Sequence, residues 1–458
     1  MENRTNVKGV LVSTEHYIGG KRVASEKSFA TINPNQPTQI LAEISRGDSA
    51  TADLAVVEAQ KGFEVWSQMS VGERSAIMHK LADLIESRAQ DIATVECMDM
   101  GMRYESLVNR LVPRGARNFR SYAQIAKDHK PRKWHSNTTT NEIQRMPSGV
   151  SVIITPWNAP FMLCTWKCAP ALAAGNSVIL KPAEWSPLSA SILADLIDEA
   201  GFPAGVFNIV QGIGEEVGAA LVSNPKVARV SFTGSVDAAR IIGAAAAKNI
   251  VPFTGELGGK GPLIVFPDAD LDAAVKKAVG QFDDSGQVCL AGTRLLVHES
   301  LKEEFLSKFL ALTAKQKLGS SWEDETEITP MIHPKHLENV VGFVERARDN
   351  GDSILCGGKI YQEGALWYEP TLIEPKSNDS EVVQREIFGP VLTLQTFATE
   401  DQAIVLANST EFGLSGMIYT TSREIASRVG RAIRAGTVWV NCFRSEEHTS
   451  ELQSHLNL

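Results

Sequence analysis

The sequence predicts an α/β protein built on a doubly wound parallel sheet with helices on both faces. Two observations carry this prediction. First, short runs rich in β-branched residues alternate with helical stretches in the middle of the chain, at residues 149–155, 177–180, 206–210, 229–232 and 250–253. Second, Ser186 as N-cap, Pro187 at the first helical position and Gly201 after the last turn bracket a helix between the second and third runs. Strands joined by such crossovers pair in parallel, and their ligands bind at the carboxyl ends of the strands.

A second α/β pattern begins after Gly258 and Gly259, so the chain is expected to divide into domains near Glu256. Its predicted strands are 262–266, 294–297, 391–397 and 437–441, and its predicted helices are 271–282, 301–315, 334–349 and 423–434. Ahead of the first sheet, apolar residues at helical spacing predict two helices between residues 51 and 92, and hence a helical N-terminal layer. The polar, Thr-rich stretch 127–145 is an extended hairpin or a loop.

Composition excludes several classes of protein. The 458 residues suit two or three domains, and 43% hydrophobic with 22% charged residues is ordinary for a globular chain. No run approaches the roughly 20 apolar residues that span a bilayer. A net charge of −9 without a basic run argues against nucleic acid and anionic membranes as partners. Residues 1–12 show no signal-peptide pattern, so cytoplasmic residence is the expectation.

The cysteines and histidines predict neither disulfides nor a metal centre. Six cysteines stand at 97, 164, 168, 289, 356 and 442, in no disulfide-framework spacing. Cys164 and Cys168 are four apart on a predicted helix, but no His or Cys cluster completes a zinc site there. His333 and His336 flank a Pro-Lys turn and are expected at the surface.

Three residues are candidates for the chemistry itself. Cys289 ends a polar turn, 283–289, where a thiolate would be a strong nucleophile; the alternative is a buried structural cysteine. Glu256 follows the predicted fifth strand and could act as a base on water, or it could be a turn residue paired with Lys260. Asn158 ends the first strand, and its amide could donate to a developing oxyanion, or it could serve turn geometry alone.

Two further strand ends suit a nucleotide. Lys181 and Glu184 end the second strand, where an ammonium and a carboxylate can together hydrogen-bond one ribose; the alternative is an i,i+3 surface ion pair. Gly234 and Ser235 end the fourth strand and open a helix, so backbone N–H groups could face a pyrophosphate. This is not a GxGxxG motif, because Ala239 stands where a later glycine would be, and alone it is a weak signal.

In combination these motifs resemble the aldehyde dehydrogenase superfamily over residues 17–441. The matching motifs are TPWN with Asn158, KPAE with Lys181 and Glu184, FTGS with Gly234 and Ser235, ELGGK with Glu256, GQVC with Cys289, and EIFGP with Glu386 and Phe388. The resemblance implies a Rossmann-like nucleotide-binding domain (1–121 and 146–256), an α/β catalytic domain (257–441) and a small oligomerisation arm (122–145). It also implies a homodimer or homotetramer in the intact family, an assembly that we expect a truncation of this chain to impair.

The resemblance further implies a role for each site residue. Cys289 attacks the aldehyde, the Asn158 amide and the Cys289 N–H hold the oxyanion, hydride passes to NAD, and Glu256 activates the hydrolytic water. The implied cofactor residues are Thr155, Pro156, Trp157, Lys181, Glu184, Gly234, Ser235, Leu257, Glu386 and Phe388. A Glu184 carboxylate beside the ribose 2′-hydroxyl would repel a 2′-phosphate, so we expect NAD rather than NADP.

The substrate is suggested by arginines. Arg110, Arg114 and Arg117 stand at i, i+4 and i+7 on a predicted helix that in related enzymes borders the substrate tunnel, so they could receive a substrate carboxylate. They could equally solvate a face or meet a partner subunit. The stretches 155–176 and 181–188 are most similar to the 5-carboxymethyl-2-hydroxymuconate semialdehyde dehydrogenases, whose substrate is anionic.

Two alternative functions stay open. One is a CoA-acylating dehydrogenase, although that branch generally lacks the ELGGK glutamate that this chain has as Glu256. The other is a non-catalytic nucleotide-binding protein, because a fold does not fix a function.

The C-terminal tail departs from the family pattern. Residues 444–455, RSEEHTSELQSH, look like the in-frame translation of a sequencing-library adapter. We therefore expect that the natural sequence stops near Phe443 and that 444–458 is an artefact. Family members continue past Asn441 with a segment that completes the catalytic domain, so the resemblance implies a truncated chain.

Overall fold

A computed structural model describes residues 3–443 of the chain. The tail 444–458, whose foreign origin the sequence predicts, lies outside the described residues. By the contacts of its backbone, the chain divides into two compact units, Met1–Glu256 and the remainder from Leu257. Each unit is an α/β layer structure with its own seven-stranded sheet.

The first unit combines thirteen strands with nine α-helices. The strands are β1 Arg4–Val7, β2 Val10–Ser13, β3 His16–Ile18, β4 Lys21–Val23, β5 Ser28–Asn33, β6 Gln36–Ser45, β7 Arg132–Ser136, β8 Thr139–Ile143, β9 Val150–Ile154, β10 Ser177–Lys181, β11 Phe207–Ile209, β12 Val227–Gly234 and β13 Phe253–Leu257. The helices are α1 Ser49–Trp66, α2 Val71–Ser87, α3 Ala89–Met100, α4 Tyr104–Ser106, α5 Val112–Asp128, α6 Pro160–Ala173, α7 Leu188–Ala200, α8 Ala219–Ser223 and α9 Val236–Lys248. Two π-helical turns, Leu107–Leu111 and Gly214–Gly218, precede α5 and α8.

The central sheet of this unit confirms the predicted doubly wound α/β class. Its order is β13-β12-β9-β10-β11-β3-β4, and β9 pairs in parallel with both β10 and β12. Every residue of β9 and β10 is buried, as expected for strands covered on both faces. The α7 crossover ends at Gly201 in the left-handed conformation, as predicted.

Three expectations about local structure were wrong. The fifth strand begins at Phe253, because Ile250 has a left-handed φ of 57° and breaks the run; Glu256 therefore lies inside β13 and does not follow it. Ser186 does not cap α7, since its hydroxyl donates to the Trp157 carbonyl (3.3 Å) instead. The N-terminal part is not only helical: six strands precede α1 within the described residues.

The stretch 127–145 is a hairpin, the first of the two forms considered. Strands β7 and β8 pair with each other in antiparallel register from Arg132↔Ile143 to Ser136↔Thr139. Almost every side chain in them is exposed, including Trp134 at 43% and Ile143 at 47%.

The second unit has seven strands and six α-helices within the described residues. The strands are β14 Pro262–Val265, β15 Arg294–His298, β16 Ser353–Cys356, β17 Thr371–Glu374, β18 Val391–Phe397, β19 Ser415–Tyr419 and β20 Thr437–Val440. The helices are α10 Leu271–Val279, α11 Lys302–Thr313, α12 Pro334–Asn350, α13 Glu381–Gln384, α14 Glu400–Ala407 and α15 Arg423–Ala432. Two 3₁₀ helices, Gly280–Gly286 and Glu299–Leu301, follow α10 and β15.

Helices cover both faces of the second sheet, whose order is β16-β17-β18-β15-β14-β19-β20. Successive residues of a strand point to opposite faces, and the packing of β14 follows this rule. Leu263 and Val265 join a core with α10 and α11, whereas Ile264 joins a separate core with α14 and α15. Strands β16, β17 and β19 and helices α13 and α14 were absent from the sequence prediction.

Residues 3–443 contain neither a membrane-spanning helix nor a cluster of metal-binding side chains. No helix there is both long and apolar enough to cross a membrane. No group of three or more His, Cys, Asp or Glu side chains in that range is arranged to hold a metal ion.

Candidate active site

The carboxyl ends of β9 and β10 lie side by side and bring two of the motifs together. In the parallel register Ile154 is opposite Lys181, and the Thr155 N–H donates to the Lys181 carbonyl (3.2 Å). Thr155 is buried, while Pro156 and Trp157 after it are half-buried. The Trp157 ring lies 5.9 Å from the Trp185 ring between centroids. Two adjacent strand ends thus present an aromatic surface beside polar groups.

Lys181 and Glu184 form an ion pair of 2.9 Å at the end of β10. The Lys181 side chain is only 3% exposed, whereas that of Glu184 is 34% exposed. A pair with one buried member is not the surface pair that the alternative interpretation required. A carboxylate that remains accessible beside a fixed ammonium can accept hydrogen bonds from vicinal hydroxyls, as on a ribose.

Asn158 lies in the bend between β9 and α6 and is half-buried. Helix α6 begins two residues later with Pro160, and its first free N–H, that of Phe161, donates to Oε2 of Glu96 (3.0 Å). Burial raises the pKa of Glu96 to about 8. A carboxyl group from α3 therefore anchors the turn that carries the Asn158 amide.

The end of β12 leads directly into α9. Gly234 is the last residue of β12, and a Cβ there would lie 2.5 Å from the ring of Phe232. Ser235 is the exposed N-cap of α9, and its hydroxyl accepts from the Ala238 N–H (3.2 Å). The first N–H groups of a 13-residue helix face solvent here, where the helix dipole favours an anion.

Glu256 is half-buried in β13, and Leu257 ends that strand. Two residues that the sequence did not single out interact with Glu256. Burial raises the pKa of Tyr122 to about 12, and the Glu256 charge adds to this shift. Lys167 on α6 is buried, and its Nζ donates to the Ser231 hydroxyl (3.1 Å).

The charge of Lys167 is sensitive to pH near neutrality. Burial lowers the pKa of its ammonium to about 8, and the negative charge of Glu256 opposes that shift. A lysine inside an otherwise apolar helix was the one signal available in the sequence, since buried lysines need a partner.

In the second unit the glycines of ELGGK make room for a carboxylate. The Gly259 N–H donates to Oε1 of Glu386 (2.9 Å). Burial raises the pKa of Glu386 to about 7, opposed by this N–H and by the Lys260 charge. Lys260 itself is buried, and burial lowers its pKa to about 7.

Cys289 is a half-buried cysteine, outside any disulfide, three residues beyond the 3₁₀ turn Gly280–Gly286. A Cβ at Gly259 would lie 2.4 Å from the Cys289 carbonyl oxygen, so only glycine lets the two segments approach so closely. Cys97, Cys164 and Cys168 are fully buried, and burial raises the pKa of each. Cys289 therefore differs from the structural cysteines of the first unit.

Phe388 adopts a left-handed φ of 58°, and its carbonyl accepts a hydrogen bond of 2.8 Å from Nε2 of His336. His336 was expected at the surface and is instead 8% exposed. His336 is buried in the first turn of α12, and His333 is the residue that caps this helix.

The three arginines differ in their surroundings and do not form one uniform face. Arg110 lies in the π-helical turn, is exposed and donates to the Ser106 hydroxyl (2.8 Å), and Arg117 is also exposed. Arg114 is half-buried on α5, beside Gly115, where a Cβ would lie 2.9 Å from the Phe161 ring. Of the three arginines, only Arg114 is half-buried.

Residues 22–453 match the aldehyde dehydrogenase family. The chain is 39% identical over 442 residues to aldehyde dehydrogenase family 2 member B4, mitochondrial, of Arabidopsis thaliana, covering 94% of this chain and 81% of that one. It is 36% identical over 445 residues to the 2-hydroxymuconic semialdehyde dehydrogenase of Pseudomonas sp. (strain CF600), covering 94% and 91%.

Solved structures agree with the sequence matches. A putative aldehyde dehydrogenase from Burkholderia cenocepacia superposes with a TM-score of 0.92 at 37% identity, covering 95% of this chain and 90% of that chain. The betaine aldehyde dehydrogenase of Staphylococcus aureus in complex with NAD⁺ gives 0.92 at 34% identity, covering 95% and 88%. With its motifs, its fold and these matches, the chain belongs to the aldehyde dehydrogenase family of oxidoreductases.

Proposed function

We propose that this protein oxidises an aldehyde to a carboxylic acid with NAD as hydride acceptor, using Cys289, Asn158 and Glu256. The observation that carries the proposal is the half-buried thiol of Cys289. The Cys289 backbone lies so close to Gly259 that no residue larger than glycine would fit at position 259. A thiol that is neither fully buried nor on a mobile surface can be presented to a substrate in fixed geometry.

The residues present fit a dinucleotide. The Lys181–Glu184 pair suits the adenosine ribose, the α9 N-terminus at Gly234 and Ser235 suits the pyrophosphate, and Glu386 suits the second ribose. Thr155, Pro156, Trp157, Leu257 and Phe388 supply the backbone and apolar surface around these groups. Two solved structures similar to this chain are described as complexes with NAD⁺. NAD, when bound, accepts the hydride.

The protein's own groups then act in order. The Cys289 thiolate forms a C–S bond to the aldehyde carbon, and the charge that develops on oxygen is met by the Asn158 amide and the Cys289 N–H. Loss of hydride converts this adduct to a thioester. Glu256 takes a proton from water as the water oxygen attacks the thioester carbon, and the C–S bond breaks to release the acid and the thiolate.

Water is proposed as the acyl acceptor because Glu256 is present and only half-buried. A CoA-acylating enzyme needs no base for water. Added CoA is therefore expected to leave turnover unchanged, and formation of an acyl-CoA product would favour that alternative.

The test is NADH formation from a panel of aldehydes by wild-type protein and by Cys289→Ser. We expect Cys289→Ser to lower kcat by about 10³-fold or more, as when other enzymes lose their nucleophile. Cys356→Ser is the matched control, because Cys356 is another half-buried free cysteine and lies at the end of β16. Folded wild-type protein that binds NAD but forms no NADH from any aldehyde would instead support a non-catalytic nucleotide-binding protein.

We further propose an anionic semialdehyde as substrate. Arg114 supports this, because a half-buried arginine can bind a carboxylate at less entropic cost than an exposed one. Arg110 and Arg117, both exposed, are weaker candidates for this contact. The similarity to a 2-hydroxymuconic semialdehyde dehydrogenase is a second, independent support.

A homodimer or homotetramer is proposed through the β7–β8 hairpin. Two strands alone are marginally stable in water, and this pair exposes Trp134 and Ile143. A second copy pairing with the hairpin would cover that surface. Light scattering of the purified protein, compared with Trp134→Lys, tests this: the wild type should be larger than a monomer and the variant should dissociate.

A further inference from the structure

Besides Asn441, three non-glycine residues in the described part of the second unit have left-handed backbone, and a side-chain hydrogen bond holds each of them. They are Asp284, Ser285 and Phe388, with φ of 52°, 55° and 58°. Residues other than glycine rarely adopt this conformation, because Cβ then lies too close to the following carbonyl oxygen. Such conformations persist only where the surroundings fix them, so the bonds that fix them have a purpose beyond local packing.

The bonds converge on one short segment, Thr329–His336, which leads into α12. The Ser285 hydroxyl donates to the Thr329 carbonyl. The Gln287 side chain accepts from the Ile332 N–H (3.0 Å) and donates to the Asp284 carbonyl (3.2 Å). From the same segment, Nε2 of His336 bonds to the Phe388 carbonyl (2.8 Å).

The two loops held in this way also touch each other. Gly286 has a φ of 65°, and a Cβ there would lie 2.2 Å from the Gly389 carbonyl oxygen. Gly389 in turn approaches α12, where a Cβ would lie 2.7 Å from the Val340 side chain. The loop ending at Cys289, the loop of Glu386 to Gly389, and the start of α12 therefore pack as one body.

The His336 side chain is suited to act as a permanent hydrogen-bond donor. Its ring is buried, it packs against the Phe388 ring at 6.1 Å between centroids, and Nε2 is aimed at a carbonyl that can only accept. Burial lowers the pKa of His336 to about 4, so the imidazole stays neutral and keeps one fixed N–H near neutral pH.

We propose that His336 is a positioning residue that, with Ser285 and Gln287, couples the Cys289 loop to the Glu386–Phe388 loop, so that the thiol and the nucleotide-binding carboxylate keep one relative geometry. This rests on the proposed roles of Cys289 and Glu386. Its consequence is specific: breaking the His336 bond, which contacts only the second loop, must also change the behaviour of the thiol on the first.

The test compares His336→Leu, which removes the donor, with His336→Gln, whose amide N–H can replace it. Two measurements do not depend on turnover: the Kd for NAD from tryptophan fluorescence, and the iodoacetamide alkylation rate of Cys289 from peptide mass spectrometry, with the Cys356 peptide as internal standard. His333→Asn is the matched control, because asparagine can still cap α12.

For His336→Leu we expect the Kd for NAD to rise about tenfold, as for loss of a buried hydrogen bond, and Cys289 alkylation to quicken at least about threefold as the thiol is released. His336→Gln and His333→Asn should stay within about twofold of wild type in both measurements. Where His336→Leu does not fold, Ser285→Ala, which breaks the bond of the other loop, should show the same paired change.

The proposal is overturned if a folded His336→Leu changes neither quantity, or changes the Kd for NAD while Cys289 alkylation stays at the wild-type rate, since the loops would then be independent. Failure of the proposed function is a separate result. It would be seen as wild-type protein without Cys289-dependent NADH formation, whatever the alkylation and binding data show.

Discussion

The carboxylate of Glu386 occupies the space that a side chain on Gly258 would need. A Cβ there would lie 1.9 Å from Oε2 of Glu386, while Oε1 accepts from the neighbouring Gly259 N–H. The two consecutive glycines thus hold both oxygens of the Glu386 carboxylate: Gly258 leaves room for Oε2, and the Gly259 N–H binds Oε1. Since real Cβ contacts are never that short, any larger residue at 258 must displace Glu386.

Gly258→Ala is therefore expected to raise the KM for NAD about tenfold or more, because the carboxylate loses its place and its N–H partner. Steady-state kinetics with NAD as the varied substrate measures this. Gly280→Ala is the control, because a Cβ at Gly280 meets open space. Equal KM values for Gly258→Ala and wild type would show that Glu386 does not bind the nucleotide.

Glu184 is expected to set the choice between NAD and NADP. In Glu184→Gln the repulsion of a 2′-phosphate is removed while Lys181 remains beside it, so the ratio of kcat/KM for NADP to that for NAD should rise about tenfold or more. Glu142→Gln, which alters an ion pair of the β7–β8 hairpin, serves as control. An unchanged kcat/KM ratio in Glu184→Gln would show that Glu184 does not bind the ribose.

Lys167 should introduce a pH dependence near 8 into turnover. Its pKa is about 8, so its charge is present below that pH and is lost above it. While Lys167 is charged, its attraction to the Glu256 carboxylate opposes transfer of a proton from water to that carboxylate, so kcat of the wild type should rise as pH passes through about 8 when deacylation limits turnover. Lys167→Met should lack this rise.

Lys167→Arg is the matched variant, since arginine keeps its charge throughout this range and should also give a flat profile, at the lower rate. A rise near pH 8 that persists in both variants would assign it to another group.

Arg114 should matter only for charged substrates. Arg114→Ala is expected to raise the KM for an anionic semialdehyde about tenfold and to leave the KM for a neutral aldehyde unchanged. Arg117→Ala, which removes an exposed arginine one turn along α5, should change neither. If Arg114→Ala raises the KM for both aldehydes equally, the substitution acts through packing, and the proposal of an anionic substrate is wrong.

Glu96 should make the folded protein less stable at alkaline pH. Its folded pKa is about 8 and the unfolded value is about 4.3, so between these values the folded state holds a proton that the unfolded state releases. The slope of stability against pH is then negative: this contribution is full below about pH 4 and is lost by about pH 8.

Thermal unfolding from pH 5 to pH 9 measures the effect. The Tm of the wild type should fall more steeply with pH than that of Glu96→Gln, which keeps an acceptor for the Phe161 N–H without a titrating proton. Burial also raises the pKa of Asp99, to about 7, so a smaller slope should remain in the variant. Parallel curves for the two proteins would contradict the prediction.

The central strands and crossovers could be predicted because their signals are local. Strands such as β9 and β14 are rich in apolar residues and buried along their whole length, since both faces of each sheet are covered. Strands β1–β6 were not predicted because many of their residues are exposed, and the composition of such exposed strands resembles that of loops. The start of β13 was misplaced because the left-handed turn at Ile250 leaves no mark in composition.

The sequence by itself determined which chemical groups this protein carries and, for Asn158, Lys181 and Ser235, the strands that they follow or end, because parallel topology gathers strand ends at one edge of a sheet. Only the tertiary structure decided which of them are buried and what contacts them. The ammonium of Lys167 and the imidazole of His336 acquire their surroundings from residues tens of positions away. Burial and long-range contact arise when layers pack, and no spacing along one strand or helix encodes them.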